Sequence, residues 1–170
     1  MISRSPHVRL FQSMYFIGID PGKSGAIAVI DDKGFVWRTC VFDEREYSMA
    51  LMECSDAPGS KAVLEHVGAM PGQGSVSMFN FGSNFGFIRG LLTAYEIPYE
   101  LVRPQKWKRT FSCTSDKNTS VDVAHRLFPN VDLRRTTRCS KPHDGIAEAL
   151  LMAEYCRRTN LGTLKPIPQP

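Results

Sequence analysis

Four carboxylates in this chain sit where carboxylates are costly. Asp20 closes the apolar run 15–19 and opens the turn Pro-Gly-Lys-Ser-Gly, Glu65 tips a second apolar run at 62–64, and Asp144 and Glu148 stand four apart in "HDGIAEALLMA". If that last stretch is helical, their Cβ atoms lie about 5–6 Å apart on one face. A carboxylate beside a core is unfavourable unless a cation neutralises it, and like charges at this spacing destabilise a helix. Four such groups brought together would form an oxygen-rich pocket for a hard divalent ion, Mg2+ or Mn2+. Singly, each has an ordinary reading: Asp20 as a turn residue before Pro-Gly, Glu65 as a salt-bridged strand end, Asp144 as a helix N-terminal acid favoured by the dipole.

A second pattern lies in the charges. The formal net charge is only +4, but the segment 103–141 holds ten Lys or Arg against three acids, +7, leaving −3 for the rest of the chain. A lopsided basic segment points to a polyanionic partner, with phosphate backbone the usual one, and a solvated face as the plain alternative.

The elements that must position these groups read as a β-rich first third followed by an α/β remainder. Residues 15–20, 26–31 and 35–42 are short β-branched or aromatic runs, the last two joined by "DDKG", and predict an antiparallel meander. Residues 44–54 have helical spacing and stop near "DAPGS"; 62–67, tipped by Glu65 and His66, predicts a buried central strand. After the loop "GAMPGQG", apolar residues recur on a helical period from 76 to 96, with Gly82, Gly86 and Gly90 along one face. Glycines cost a helix about 1 kcal/mol each relative to alanine, so close backbone packing is the expected compensation, within the domain or across a dimer. A strand is predicted at 98–102, then a basic stretch around Trp107, itself read as packing. "SDKNTSVDVAHRLFP" predicts a capped helix stopped by Pro129, "RRTTRCSKP" a basic loop, and 144–158 a closing helix with Ile146, Ala149, Leu150 and Ala153 as its apolar stripe.

Size and composition set the bounds. With 170 residues, 42% of them hydrophobic, the expectation is one domain over 14–160, an N-terminal extension 1–13 and a tail 161–170. The five cysteines are odd in number and scattered, without CxxC or zinc-like spacing, which predicts reduced thiols. No apolar segment approaches the ~20 residues that cross a bilayer, so the expectation is a cytoplasmic protein without a membrane partner. The leader is basic and acid-free, and an organelle-targeting peptide is its alternative reading.

Taken together, "IGIDPGKSGAIAVID", "AVLEHV", "SVSMFNFGSNFGFIRGLL", "PYELVRPQKWKR" and "HDGIAEALLMA" resemble the RuvC-type Holliday-junction resolvases, particularly the compact phage-type members, over roughly 15–158. The resemblance implies an RNase H-like fold: a mixed five-stranded sheet, with a three-strand antiparallel meander plus two parallel strands, flanked by helices. It also implies a homodimeric endonuclease that resolves four-way DNA junctions, with Asp20, Glu65, Asp144 and Glu148 as catalytic metal ligands, two Mg2+ per site, and Mn2+ as a substitute. The chain departs from the pattern in three places: Glu148 stands where the family commonly has Asp, the helix pair is spaced by four where some members use three, and Gly68 leaves Met70 as the candidate to probe the junction centre. His143 is close enough in sequence to assist. Lys106, Lys108, Arg109, Lys117, Arg134, Arg135, Arg138 and Lys141 are the candidates for binding DNA. Two rival readings are a catalytically silent branched-DNA-binding module and a nucleotide-binding protein of the actin and sugar-kinase type, in which "DPGKSG" would cradle phosphate.

Overall fold

Three strands, β1 (Tyr15–Ile19), β2 (Ala26–Asp31) and β3 (Val36–Val41), form the predicted antiparallel meander in the computed structural model, which describes residues 14–22, 24–66, 68 and 74–164. The "DDKG" turn closes because Asp31 Oδ1 accepts from the Lys33 and Phe35 amides while Gly34 takes a φ of 88°, a conformation that favours glycine. Helix α1 (Glu44–Ser55) follows, its N-cap Asp43 accepting from the Glu46 amide, and leads to β4 (Lys61–Glu65). Helix α2 (Ser75–Ala94) then crosses to β5 (Tyr99–Val102). Strand β4 pairs in parallel with β1 and β5 in parallel with β4, giving the sheet order β3-β2-β1-β4-β5.

The short helix α3 (Pro104–Thr110) is an addition to the elements read from the sequence. Its Pro104 is suited to a first helical position, but Trp107 is its one buried residue, so no apolar period announces it. Helices α4 (Lys117–Leu127) and α5 (Asp144–Asn160) complete the chain.

The sheet is buried on both faces, as expected of parallel central strands. One face packs Ile17, Ile19, Ile27 and Leu64 against Tyr47 and Leu51 of α1 and Ile88 and Leu92 of α2. The other packs Phe16, Ala28, Ile30 and Val63 under α5, with α4 and Trp107 of α3 on its far side. Every α5 residue from Gly145 to Cys156 is therefore buried, far more than the single stripe the periodicity predicts. All five cysteines are free thiols.

Two glycines decide where α5 sits. A Cβ on Gly18 of β1 would lie 2.1 Å from the Ala149 carbonyl oxygen and 2.3 Å from the Ala153 nitrogen, so the helix backbone rests directly on the strand. A Cβ on Gly145 would lie 2.3 Å from the Ser24 carbonyl oxygen, which seats the helix N-terminus against the β1–β2 turn. The three glycines of α2 behave in the opposite way. Among the described residues nothing lies within 4 Å of a Cβ built on Gly82, Gly86 or Gly90, so the expected packing of that face within the domain does not occur there. The helix buries its other side, through Ile88 and Leu92.

These contacts generate a paired expectation. Gly18→Ala should cost roughly 3 kcal/mol or more, because neither backbone atom can yield without moving α5. Gly82→Ala, with no described residue near its Cβ position in the single chain, should leave the dissociated protomer as stable as the parent or more so by about 0.5–1 kcal/mol. Urea denaturation midpoints test both, and a Gly18→Ala protein as stable as the parent would refute the backbone seat.

Candidate active site

The carboxylates gather at one end of the sheet. Asp20 follows β1 and is half-buried; its Oδ1 accepts from the Gly22 amide at 2.9 Å, so it does turn work as well as facing the site. Glu65 ends β4 with 6% of its surface exposed, and its Oε1 accepts from the Trp107 indole nitrogen at 2.9 Å. Glu148, on α5 and also buried, accepts from Lys108 Nζ at 2.6 Å. Asp144, one turn earlier, is ion-paired with Lys117.

Asp20, Glu65, Glu148 and Lys117 line one groove of about 970 Å³, together with Phe42 and the polar residues Ser77, Asn80, Ser83 and Asn84 of α2. Asp144 is not among its lining residues and reaches it through Lys117. Among the described residues, no three His, Cys, Asp or Glu side chains stand close enough together to hold a metal ion as they are. Two of the four acids are instead held by lysines.

The electrostatics show how the four acids feel one another. Burial pushes Asp20 up to about 6, reinforced by the Glu148 and Asp144 charges and opposed by the Gly22 amide and Lys117. Burial likewise raises Glu65 to about 7, with Asp20 and Glu148 adding to the effect and Trp107 and Lys108 working against it. Burial alone would raise Asp144 too, but the Lys117 ammonium outweighs it and holds that carboxyl below its usual range. Two acids thus lack compensating positive charge while a third has it.

The basic candidates divide by position. Lys108, largely buried, and Lys117 serve the acid cluster. Lys106 pairs with Glu100 at 2.9 Å, and Arg134 with Asp132 at 2.8 Å, both on the surface. Arg109 lines a second cavity beside Lys108, with Gln105, Ser112 and Thr114. Arg135, Arg138 and Lys141 are exposed and make no ion pair among the described residues. His143 precedes α5 with its ring against the Cβ position of Gly145, and its buried Nδ1 has no hydrogen-bond partner among the described residues. Met70 lies outside the described residues.

Trp107 packs, as read from the sequence, but its donation to Glu65 was not legible there because the partner is 42 residues away. The polar wall from α2 did carry a signal: Ser77, Asn80 and Asn84 fall at i, i+3 and i+7 of an otherwise apolar helix. Phe81 stacks on Phe85 with ring centroids 6.0 Å apart and lines the groove, so the pair lies away from the glycine face. The large apolar side chain most open to solvent on α2 is Phe79, 75% exposed.

No protein-family model and no curated protein matches the sequence. Solved structures do. Thermus thermophilus RuvC in complex with a Holliday junction substrate is 15% identical, with a TM-score of 0.60 over 91% of this chain and 99% of that one. A structure of T. thermophilus RuvC by itself is 16% identical, with a TM-score of 0.55 over 91% of this chain and 100% of that one. The yeast mitochondrial Holliday junction resolvase Ydc2 is 11% identical, with a TM-score of 0.56 over 92% of this chain and 82% of that one. The likeness establishes the fold that the sequence motifs imply, RuvC-type and RNase H-like.

The raised carboxyls make stability depend on pH in a definite direction. A group whose folded pKa is raised contributes stability that is complete below its unfolded value, near 4, and is lost as pH rises through about 6 for Asp20 and about 7 for Glu65. In chelator, the thermal midpoint should therefore fall between about pH 5 and pH 8. Asp20→Asn or Glu65→Gln should raise the midpoint at about pH 8 by roughly 5 °C and leave it unchanged near pH 4. Circular dichroism melts check this; a variant no more stable than the parent at the higher pH would remove that acid from the strained cluster.

Proposed function

We propose that the protein is a divalent-metal-dependent endonuclease that cuts branched DNA at four-way junctions and acts as a homodimer. The observation that carries this reading is the acid-lined groove, where Asp20, Glu65 and Glu148 converge from three elements with Asp144 one helical turn away. The fold likeness adds the substrate class, since the similar structures are described as a RuvC–Holliday junction complex and a Holliday junction resolvase.

The donor set suits a hard cation: all-oxygen ligands, a cluster short of positive charge, and lysines already drawn to two of its members. Asp20, Glu65, Asp144 and Glu148 would hold Mg2+, with Mn2+ as substitute and two ions as the natural complement. Ions held there would supply Lewis-acid activation of water and charge offset at a departing 3′ oxygen, the chemistry that leaves 5′-phosphate and 3′-hydroxyl ends. The chain supplies the rest. Lys108 and Lys117, paired with Glu148 and Asp144, would exchange those carboxylates for backbone phosphate once the acids are otherwise neutralised. Arg135, Arg138 and Lys141, exposed on the loop before α5, would hold phosphates further along the strand, with Lys106, Arg109 and Arg134 at the margins. A silent branched-DNA-binding module is the second reading, favoured by the lysine pairs that occupy Glu148 and Asp144.

A four-way junction is two-fold symmetric, so a C2 dimer with both acid clusters on one side cuts two strands at matching positions. The open glycine face of α2, with Phe79 on the same side, is the surface for that contact.

Incubation of the protein with a four-way junction and Mg2+, without ATP, should give paired nicks, and binding without any cut would favour the silent module. Asp20→Asn, Glu65→Gln, Asp144→Asn and Glu148→Gln should each lower cleavage by roughly 100-fold or more while leaving junction binding intact or tighter, because each removes negative charge beside phosphate. Full activity in Asp144→Asn would remove that residue from the site.

Because the Gly86 Cβ position is open in the monomer, Gly86→Trp should fold normally by circular dichroism, sediment as a monomer and nick junctions on one strand at a time. A variant that stays dimeric moves the interface elsewhere.

A further inference from the structure

Trp107 is the largest fully buried side chain among the described residues, which would ordinarily assign it to packing alone. A packed tryptophan satisfies its indole N–H with whatever acceptor is near, most simply a backbone carbonyl. Here the donor goes to a carboxylate in another layer of the fold: Trp107 on α3 reaches Oε1 of Glu65, at the tip of the interior strand β4. The next residue, Lys108, reaches Glu148 on α5. One step along a seven-residue helix thus touches an acid on each of two elements that form the groove.

The two contacts differ in kind. The Lys108 ammonium is a mobile charge that competes with any cation for Glu148. The indole N–H is neutral, single and held in a buried ring, so it orients Glu65 without neutralising it. A glutamate has three side-chain torsions, and a strand terminus by itself fixes none of them. With Oε1 tied to the indole, the carboxylate plane is set and Oε2 is left free of that tie.

We propose that Trp107 is the positioning residue of the site, holding the Glu65 carboxylate in the orientation that accepts a divalent cation. The proposal rests on the metal-dependent reading above. Hydrogen bonds behind metal-binding groups are generally worth roughly 10–100-fold in metal affinity or activity, and that is the effect assigned to this one.

The test removes the hydrogen and keeps the ring. Trp107→Phe opens a cavity and mixes packing with donation, so the decisive variant replaces Trp107 with 3-benzothienylalanine, in which sulfur stands for the N–H. Mn2+ binding to the full chain, measured by electron paramagnetic resonance without DNA, should weaken roughly 10–100-fold. Single-turnover junction cleavage should fall with it, while junction affinity in chelator and the thermal midpoint near pH 5 stay close to the parent. If parent and analogue take up Mn2+ equally, Trp107 only packs and the proposal fails while the metal reading stands. If the parent takes up no Mn2+, the metal reading fails and this proposal with it. An analogue that unfolds would assign the N–H to stability and overturn the positioning role.

Discussion

The backbone of α5 rests on the backbone of β1 at Gly18, and the site depends on that contact. Helix and strand ordinarily keep a layer of side chains between them; here one is absent, and Ala149 and Ala153 come within bonding-scale distances of where a Cβ would be. Gly145 makes a similar approach to the β1–β2 turn. Between these two seats lies Glu148, with Asp144 at the helix start, so the helix acids are set against Asp20 by main-chain geometry. Main-chain seats are stiff, because side-chain rotamers cannot absorb a misfit.

That stiffness brings like charges together, and the rest of the local structure manages the consequence. Asp20 and Glu65 remain above their ordinary pKa because burial and their neighbours oppose ionisation. Asp144 and Glu148 are relieved by Lys117 and Lys108. An acid cluster that is half neutralised by lysines is a poor structural device, since apolar residues of the same size would pack at lower cost.

Helix α2 separates two tasks by face. Its groove side presents Ser77, Asn80 and Asn84 and, further along, buries Ile88 and Leu92; its outer side presents Gly82, Gly86 and Gly90 with no described residue within 4 Å of their Cβ positions. One element therefore walls the groove on one side and leaves its glycine side open among the described residues. Among the described residues, no helix is long and apolar enough to cross a membrane.

The sequence by itself determined the strands and the long helices, because period-two and period-3.6 apolar patterns are local. The acid at each tip, Asp20 and Glu65, and the Asp144–Glu148 pair were legible for the same reason, as charges interrupting apolar runs. Helix α3 was not, since seven residues with one buried side chain carry no period. Nor was the division among the basic residues: 103–141 reads as a basic segment without distinction, and only the fold shows Lys108 largely buried against Glu148 and Lys117, itself exposed, paired with Asp144, while Arg135, Arg138 and Lys141 are exposed and make no ion pair among the described residues. The glycines show the limit most plainly. Gly82, Gly86 and Gly90, regularly spaced, suggested close packing and meet no described residue within 4 Å, while Gly18, unmarked within its strand, lets the α5 backbone come within 2.1 Å of where its Cβ would be. A missing Cβ permits contact, and whether contact occurs is decided by which backbone the tertiary fold brings there.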